Sequence, residues 1–332
     1  MTGNTSSDRI RWGIIGTGRI AHAFAKALAG CEDAVPYAAA SRTRQKADEF
    51  AATYGFQKAY GSYAELAQDP NIDAVYIATP MSAHYHDAKL CLANGKNVLC
   101  EKSVTLNSWQ LEELLELARR NGLFFMEAMW MKCRPVYRKA MEWVRGNKIG
   151  TIRYLKAEFC NLVPYNAENR LFRADCGGGA LLDLAVYPLT LAHDIMGVPG
   201  KIVTHAHLRN GIDLSNTMLL SYENAAASLD SSFEYPSRNN AVISGESGII
   251  LFGNGFHNAS EVSLYDRSLH LLETFTAEDR INGYEYEIDE VNRCLRNGLQ
   301  DSPLVPQRAT LEIMQIMDEC RRQWGMRFPE EL

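Results

Sequence analysis

The sequence predicts an α/β domain built on a parallel sheet, followed by an α+β domain with a mainly antiparallel sheet. Apolar runs alternate with helical segments through the first 128 residues, a pattern that forces parallel strands with helices on both faces. From about residue 130 the strands cluster instead, without helices between them, as antiparallel sheets do. The 332 residues, 46% apolar and 22% charged, suffice for two globular cores. The expected domains are 1–128 and 129–332, with the final helix packing back on the first.

Ile10–Gly16 (IRWGIIG) is an apolar run ending in glycine, as a buried parallel strand reads. Ile20–Ala29 follows as a helix, Val35–Ser41 as a strand and Thr43–Tyr54 as a polar-faced helix. Ala74–Thr79 is a third strand and Asn97–Cys100 begins another. Between them Ser82–Asn94 reads as a helix stopped by Gly95. Leu111, Leu114, Leu115 and Ala118 recur at helical spacing in Ser108–Asn121, and Leu123–Glu127 returns to strand. In the second half, helices are expected at Pro135–Gly146, Gly178–Met196, Tyr284–Leu299 and Val305–Trp324. Short strands are expected over Thr151–Asn161 and much of 201–276.

Parallel sheets bind ligands beyond the carboxyl ends of their strands. There, Gly16-Thr17-Gly18-Arg19-Ile20-Ala21 fits G-x-G-x-x-G/A between a strand and a helix. The first glycine permits the turn, the second lets backbone approach a pyrophosphate, and the helix N-terminus favours the phosphate charge. The expected ligand is a dinucleotide on a Rossmann fold. An NAD site carries a carboxylate about 20 residues on, at the end of the second strand. This chain has Ser41-Arg42-Thr43-Arg44 there, a hydroxyl and guanidinium suited to a 2′-phosphate. NADP(H) is therefore favoured, and NAD(H) remains an alternative.

Other chemistries lack support. The net charge of −6 offers no basic surface for nucleic acid or an anionic membrane, and no apolar run approaches the ~20 residues of a membrane span. The eight cysteines include no CxxC pair, and Met1–Arg9 lacks an apolar signal segment, so a cytoplasmic protein with reduced thiols is expected. The sequons at Asn4 and Asn258 carry no weight without secretion. His84 and His86 face different ways on a helix, and His205 with His207 lacks a third ligand, so no metal is expected. There is no GxSxG and no Walker-type loop.

Glu101-Lys102 and the run Gly177-Gly178-Gly179-Ala180-Leu181-Leu182-Asp183-Leu184-Ala185-Val186-Tyr187-Pro188 resemble the glucose–fructose oxidoreductase/inositol dehydrogenase (Gfo/Idh/MocA) family, most of all its dimeric dihydrodiol dehydrogenase branch. Ala78-Thr79-Pro80 with His84, Phe125 to Trp130, Gly283-Tyr284-Glu285, Glu290-Val291, Ser302-Pro303 and Trp324-Gly325 extend the resemblance over nearly the whole chain. Two positions depart from it: Ser103 stands where proline usually follows the Glu-Lys pair, and Met81-Ser82 where many members have asparagine.

Hydride transfer between a carbinol and a nicotinamide requires close placement of the carbon, a group that moves the hydroxyl proton, and cationic help for the oxyanion. Lys102 ends a parallel strand, while Asp183 and Tyr187 are four apart on one expected helix and share a face. The resemblance implies that Lys102 hydrogen-bonds the substrate oxygen and that Tyr187 is the acid/base, with its pKa lowered by the lysine. It implies that Asp183 orients a substrate hydroxyl or the lysine. Thr79, Pro80, His84 and Glu101 would border the cofactor with the glycine loop and Lys102; Trp130, Phe172 and Arg173 would wall the substrate pocket. The substrate would be a sugar, polyol, cyclic diol or small dicarbonyl, and a large open-faced sheet would pair two chains. The rival expectation is a non-catalytic dinucleotide-binding sensor or regulatory protein.

Overall fold

The computed structural model describes residues 9–331, so the sequon at Asn4 lies outside the described residues. Two compact units emerge. One comprises the described chain through Thr105, Trp109–Cys133 and Asp279–Gln307; the other comprises Leu106–Ser108, Arg134–Glu278 and the chain from Arg308 onward.

In the first unit the alternation runs β1 (Ile10–Ile15), α1 (Arg19–Ala29), β2 (Ala34–Ala40), α2 (Arg44–Tyr54), β3 (Lys58–Tyr60), α3 (Tyr63–Gln68), β4 (Ala74–Ile77), α4 (Met81–Ala93), β5 (Asn97–Glu101), α5 (Ser108–Asn121) and β6 (Phe125–Ala128). The six strands lie in the order β3-β2-β1-β4-β5-β6 and every pairing is parallel. Strand order reverses between β1 and β4, which opens a crevice at their carboxyl ends. Fully buried Ile14, Ile15, Val75, Ile77, Val98 and Leu99 form the centre of the sheet, so the apolar runs are strands covered on both faces. Periodicity does not reveal β3 and α3. Lys58-Ala59-Tyr60 is too short and too polar to show an apolar run, and only the cap of α3, where the Glu65 amide donates to Ser62 Oγ at 3.3 Å, has a sequence signature.

The second unit holds α6 (Pro135–Arg145), β7 (Ile152–Cys160), α7 (Val186–Met196), β8 (Lys201–Arg209), β9 (Ile212–Ser221), β10 (Ala226–Ser232), β11 (Ala241–Gly245), β12 (Gly248–Phe252), β13 (Glu261–Asp266) and β14 (Leu271–Thr276). Its eight-stranded sheet runs β14-β13-β12-β11-β7-β10-β9-β8. Only β7 with β10 is parallel; the other neighbours are antiparallel. Burial alternates along β9, where Met218 and Leu220 are fully buried and Leu219 is exposed, the period-2 signature of a sheet with one covered face. Val203 of β8 lies opposite Leu219, and both are exposed.

Of the last two helices, α8 (Glu285–Arg296) folds with the first unit and α9 (Gln307–Trp324) with the second. The penultimate helix is thus the one that is part of the first unit. Ile288, Val291 and Cys294 bury one face of α8, and Trp12 Nε1 on β1 donates to Asn292 Oδ1 at 3.0 Å. Ile313, Met314, Met317 and Cys320 bury the corresponding face of α9.

Candidate cofactor and catalytic sites

The turn between β1 and α1 is shaped by its glycines. Gly16 has φ +89° and a Cβ there would come within 2.9 Å of the Ala78 carbonyl oxygen, so only glycine lets the end of β1 pass so close to the end of β4. Gly18 has open space where a Cβ would stand. It begins α1 with no side-chain cap and no acidic residue in the first turn, leaving the positive helix terminus and its N–H groups directed at the opening. Ala21, the small residue that ends the motif, is fully buried. Beyond β2, Thr17 Oγ1 donates to Ser41 Oγ at 3.1 Å, and Arg42 is exposed next to it. Arg44 opens α2 and pairs with Asp48 at 2.9 Å. Ser41 to Arg44 contain no carboxylate. Arg19 and Ile20 form the first residues of α1.

The neighbouring strand ends are tied together by buried side chains. Thr79 Oγ1 donates to Asp87 Oδ2 at 2.7 Å, and Pro80 starts α4. His84 is only 2% exposed; its Nε2 lies 2.9 Å from the Thr79 carbonyl and its Nδ1 3.0 Å from the Ser103 carbonyl. A neutral ring donates to one of these oxygens and an imidazolium to both. His84 thus links the end of β4 to the segment just after Lys102. Glu101, the last residue of β5, accepts the Tyr76 hydroxyl on one oxygen and the Lys102 amide at 3.2 Å on the other. The Lys102–Ser103 peptide is cis.

Burial makes Glu127 and Glu287 of this unit weaker acids than an ordinary carboxyl group. Burial pushes Glu127 up to about 7, against the Val104 amide that donates to it at 3.2 Å and the Lys132 and Lys102 charges. Burial also holds Glu287 on α8 well above the usual carboxylate range, and the charge of Glu101 adds to it. Neither Glu287 oxygen has a hydrogen-bond partner among the described residues. Trp130 stacks on Tyr284 with ring centroids 5.0 Å apart.

In the second unit the glycine run builds the approach to α7. Gly177 has φ +71°. A Cβ on Gly178 would come within 2.7–2.8 Å of the carbonyl oxygens of Arg170, Leu171 and Arg173, so the glycines bind the 170–173 loop to the start of the helix. Leu181–Ala185 form a single wide π-type turn, after which α7 continues as a regular helix. The expected helix over Gly178–Met196 is therefore irregular where it carries Asp183. Such insertions recur at functional sites. Asp183 lies 3.7 Å from Arg170 Nη2.

Tyr187 is buried and sits edge-on to Phe159, with ring centroids 5.4 Å apart, and at the same centroid separation from His257. Phe159 and His257 stack at 4.0 Å. Phe172 is buried against Tyr165 and Phe233, while Arg173 is engaged by Asp175, with Nε at 3.0 Å from Oδ1. Sequence reasoning misses Phe159, Arg170 and His257. The alternation of β7 marks Phe159 only as an inward residue, and His257 is a lone histidine in a loop with no spacing to single it out.

Residues 10–129 match the family described as "Oxidoreductase family, NAD-binding Rossmann fold", and residues 137–251 match the GFO/IDH/MocA C-terminal domain. The chain belongs to the Gfo/Idh/MocA oxidoreductase family. As a member of it, the protein is an NAD(P)-binding dehydrogenase or reductase, and the reading as a non-catalytic sensor is set aside. It is 33% identical to trans-1,2-dihydrobenzene-1,2-diol dehydrogenase of Xenopus laevis over 329 residues, 96% of this chain and 99% of that one. It is equally 33% identical to the human enzyme of that name over 334 residues, 97% and 99% of the two chains. Among solved structures, a 3-ketoreductase from Actinomadura kijaniata in complex with NADP and TDP-benzene superposes with a TM-score of 0.84 at 26% identity, covering 95% of this chain and 97% of that one. Levoglucosan dehydrogenase, with a TM-score of 0.85 at 18% identity over 95% and 98% of the two chains, shares the fold. For this Gfo/Idh/MocA member the uncapped α1 terminus and the open side of Gly18 fit a dinucleotide pyrophosphate.

Proposed function

We propose that this oxidoreductase uses NADP(H) to move a hydride to or from a CH–OH/C=O centre of a sugar, polyol, cyclic diol or small dicarbonyl. The observation that carries the reading is the anchoring of Lys102 at the carboxyl end of β5. Glu101 takes its backbone amide on one side, and on the other His84 meets the carbonyl of the next residue. A lysine whose main chain is fixed at this edge of a parallel sheet serves as an oriented cation for the substrate oxygen.

The bound nicotinamide supplies or takes the hydride. Lys102 polarises the carbonyl oxygen, and the Tyr187 phenol donates the proton during reduction and accepts it during oxidation. Asp183 orients a substrate hydroxyl, and Trp130, Phe172 and Arg173 border the pocket. Thr79, Pro80, His84 and Glu101 support the cofactor edge with Gly16 to Ile20. The 3-ketoreductase relative has also been solved as a lysine-to-alanine and a tyrosine-to-phenylalanine variant with NADP and TDP-benzene.

Preference for NADP(H) rests on Ser41 and Arg42 at the end of β2, where a carboxylate would repel the 2′-phosphate. The test is steady-state kinetics with both cofactors over a carbonyl panel. Arg42→Ala is expected to lower kcat/KM for NADPH by about 10- to 100-fold, the size of one lost hydrogen bond to a charged group, and to leave NADH turnover unchanged. Equal losses with both cofactors, or none, would remove the assignment.

Pairing of two chains through the open sheet face is proposed as well, because Tyr154, Val203, Leu219, Leu271 and Leu272 are exposed large apolar residues on strands of that sheet. All eight cysteines are free thiols and seven are buried, which favours the cytoplasm as the compartment. No helix among the described residues is long and apolar enough to cross a membrane.

A further inference from the structure

Asp213, the second residue of β9, is fully buried. Its Oδ2 accepts the backbone N–H of Leu181 and the side-chain amide of Asn216, each at 2.8 Å. Its Oδ1 has no hydrogen-bond partner among the described residues and lies against Gly179, where a Cβ would approach it to 2.4 Å. Gly179 itself has φ +121°. Two independent features of the chain, a glycine with no room for a side chain and a carboxylate on a distant strand, therefore converge at the start of the wide turn.

A wide turn holds one residue more than the regular helix would, and it persists only where surrounding contacts hold it. Released, it would relax toward α geometry and rotate the residues beyond it by up to one position, about 100°. We propose that Asp213 is a positioning residue for hydride transfer: by holding the Leu181 N–H it fixes the wide turn and with it the orientation of Asp183 and Tyr187. The proposal rests on the reading of Tyr187 as the proton donor.

The surroundings supply a pH dependence. Burial raises the Asp213 carboxyl to about 7, against the Asn216, Leu181 and Arg321 interactions that favour its ionised form. The groups facing it are Asn216 on its own strand, the Leu181 amide, and Arg321 with Cys320 on α9; Arg321 is shared with Asp318 and Glu331. Below neutrality the carboxyl gains a proton and becomes a weaker acceptor for the Leu181 amide, so activity falls as pH drops from about 8 to about 6, across the shifted pKa.

The test uses the full-length enzyme with NADPH and a carbonyl substrate that it turns over. Asp213→Ala is expected to lower kcat by 30-fold or more, with the Kd for NADPH within 2-fold of wild type. Asp213→Asn keeps an acceptor oxygen for Leu181 and is expected to restore kcat to within 5-fold, with the acid limb between pH 6 and 8 flattened. Unchanged kcat in Asp213→Ala overturns the proposal, as does an undiminished acid limb in Asp213→Asn, which decides the matter even where the alanine variant does not fold. Tyr187→Phe, measured alongside, separates the two claims. Full activity in that variant removes the tyrosine assignment and this proposal together. An inactive Tyr187→Phe beside a fully active Asp213→Ala removes the positioning role alone.

Discussion

Glu287 lies fully buried on α8, with both carboxyl oxygens unsatisfied among the described residues and the charge of Glu101 nearby. In the unfolded chain a glutamate ionises near ~4.3. In the fold burial keeps Glu287 neutral to higher pH, so the native state holds a proton that the unfolded state has lost, and stability falls as pH rises above about 4. Glu287→Gln removes that dependence. Its Tm relative to wild type is expected to rise between pH 4 and pH 8; the readout is the change with pH, because a buried unpaired amide carries a penalty of its own at every pH. A difference in Tm that stays constant over this range would contradict the assignment. The glycine turn and Lys102 are legible in the sequence because their chemistry depends on adjacent positions. Tyr76 and Asp213 are not, since each meets its partner from an element far away in the chain, and no local spacing records that meeting or the burial of Glu287.

The long apolar strands and the helix Ser108–Asn121 are readable from periodicity alone, because burial on one or both faces dictates it. Other features escape for physical reasons. Strand β3 has three residues, too few for a pattern. Leu181–Ala185 hold a wide turn stabilised by a carboxylate from β9, so the sequence reads as ordinary helix. Helix α8 is itself expected, but its place in the first unit is not, since Asn292 receives Trp12 Nε1 there, a pairing that apolar spacing does not encode. The sheet's open face is expected from the family and shows exposed Val203 and Leu219 directly opposite each other on β8 and β9. Wild type is expected to be a dimer by light scattering at micromolar concentration, and Val203→Asp with Leu219→Asp a monomer. A wild-type monomer, or a double variant that stays dimeric, would place the interface elsewhere.

At the scale of the molecule, composition sets only the outer limits, enough apolar residues for two globular cores. The order of the motifs carries the rest: a glycine turn, a Glu-Lys strand end and a glycine-rich helix start follow one another along this chain, and on them rests its resemblance to the family. The central claim is that Lys102 acts on the substrate oxygen and is not needed to hold the cofactor. Lys102→Met tests it most directly, with NADPH affinity from fluorescence titration and kcat from NADPH consumption on the same preparation. The expected result is a Kd for NADPH within about 3-fold of wild type and a kcat lowered by about 10²-fold or more, the usual range for loss of an oxyanion-stabilising group. Full turnover by that variant over the carbonyl panel would contradict the account.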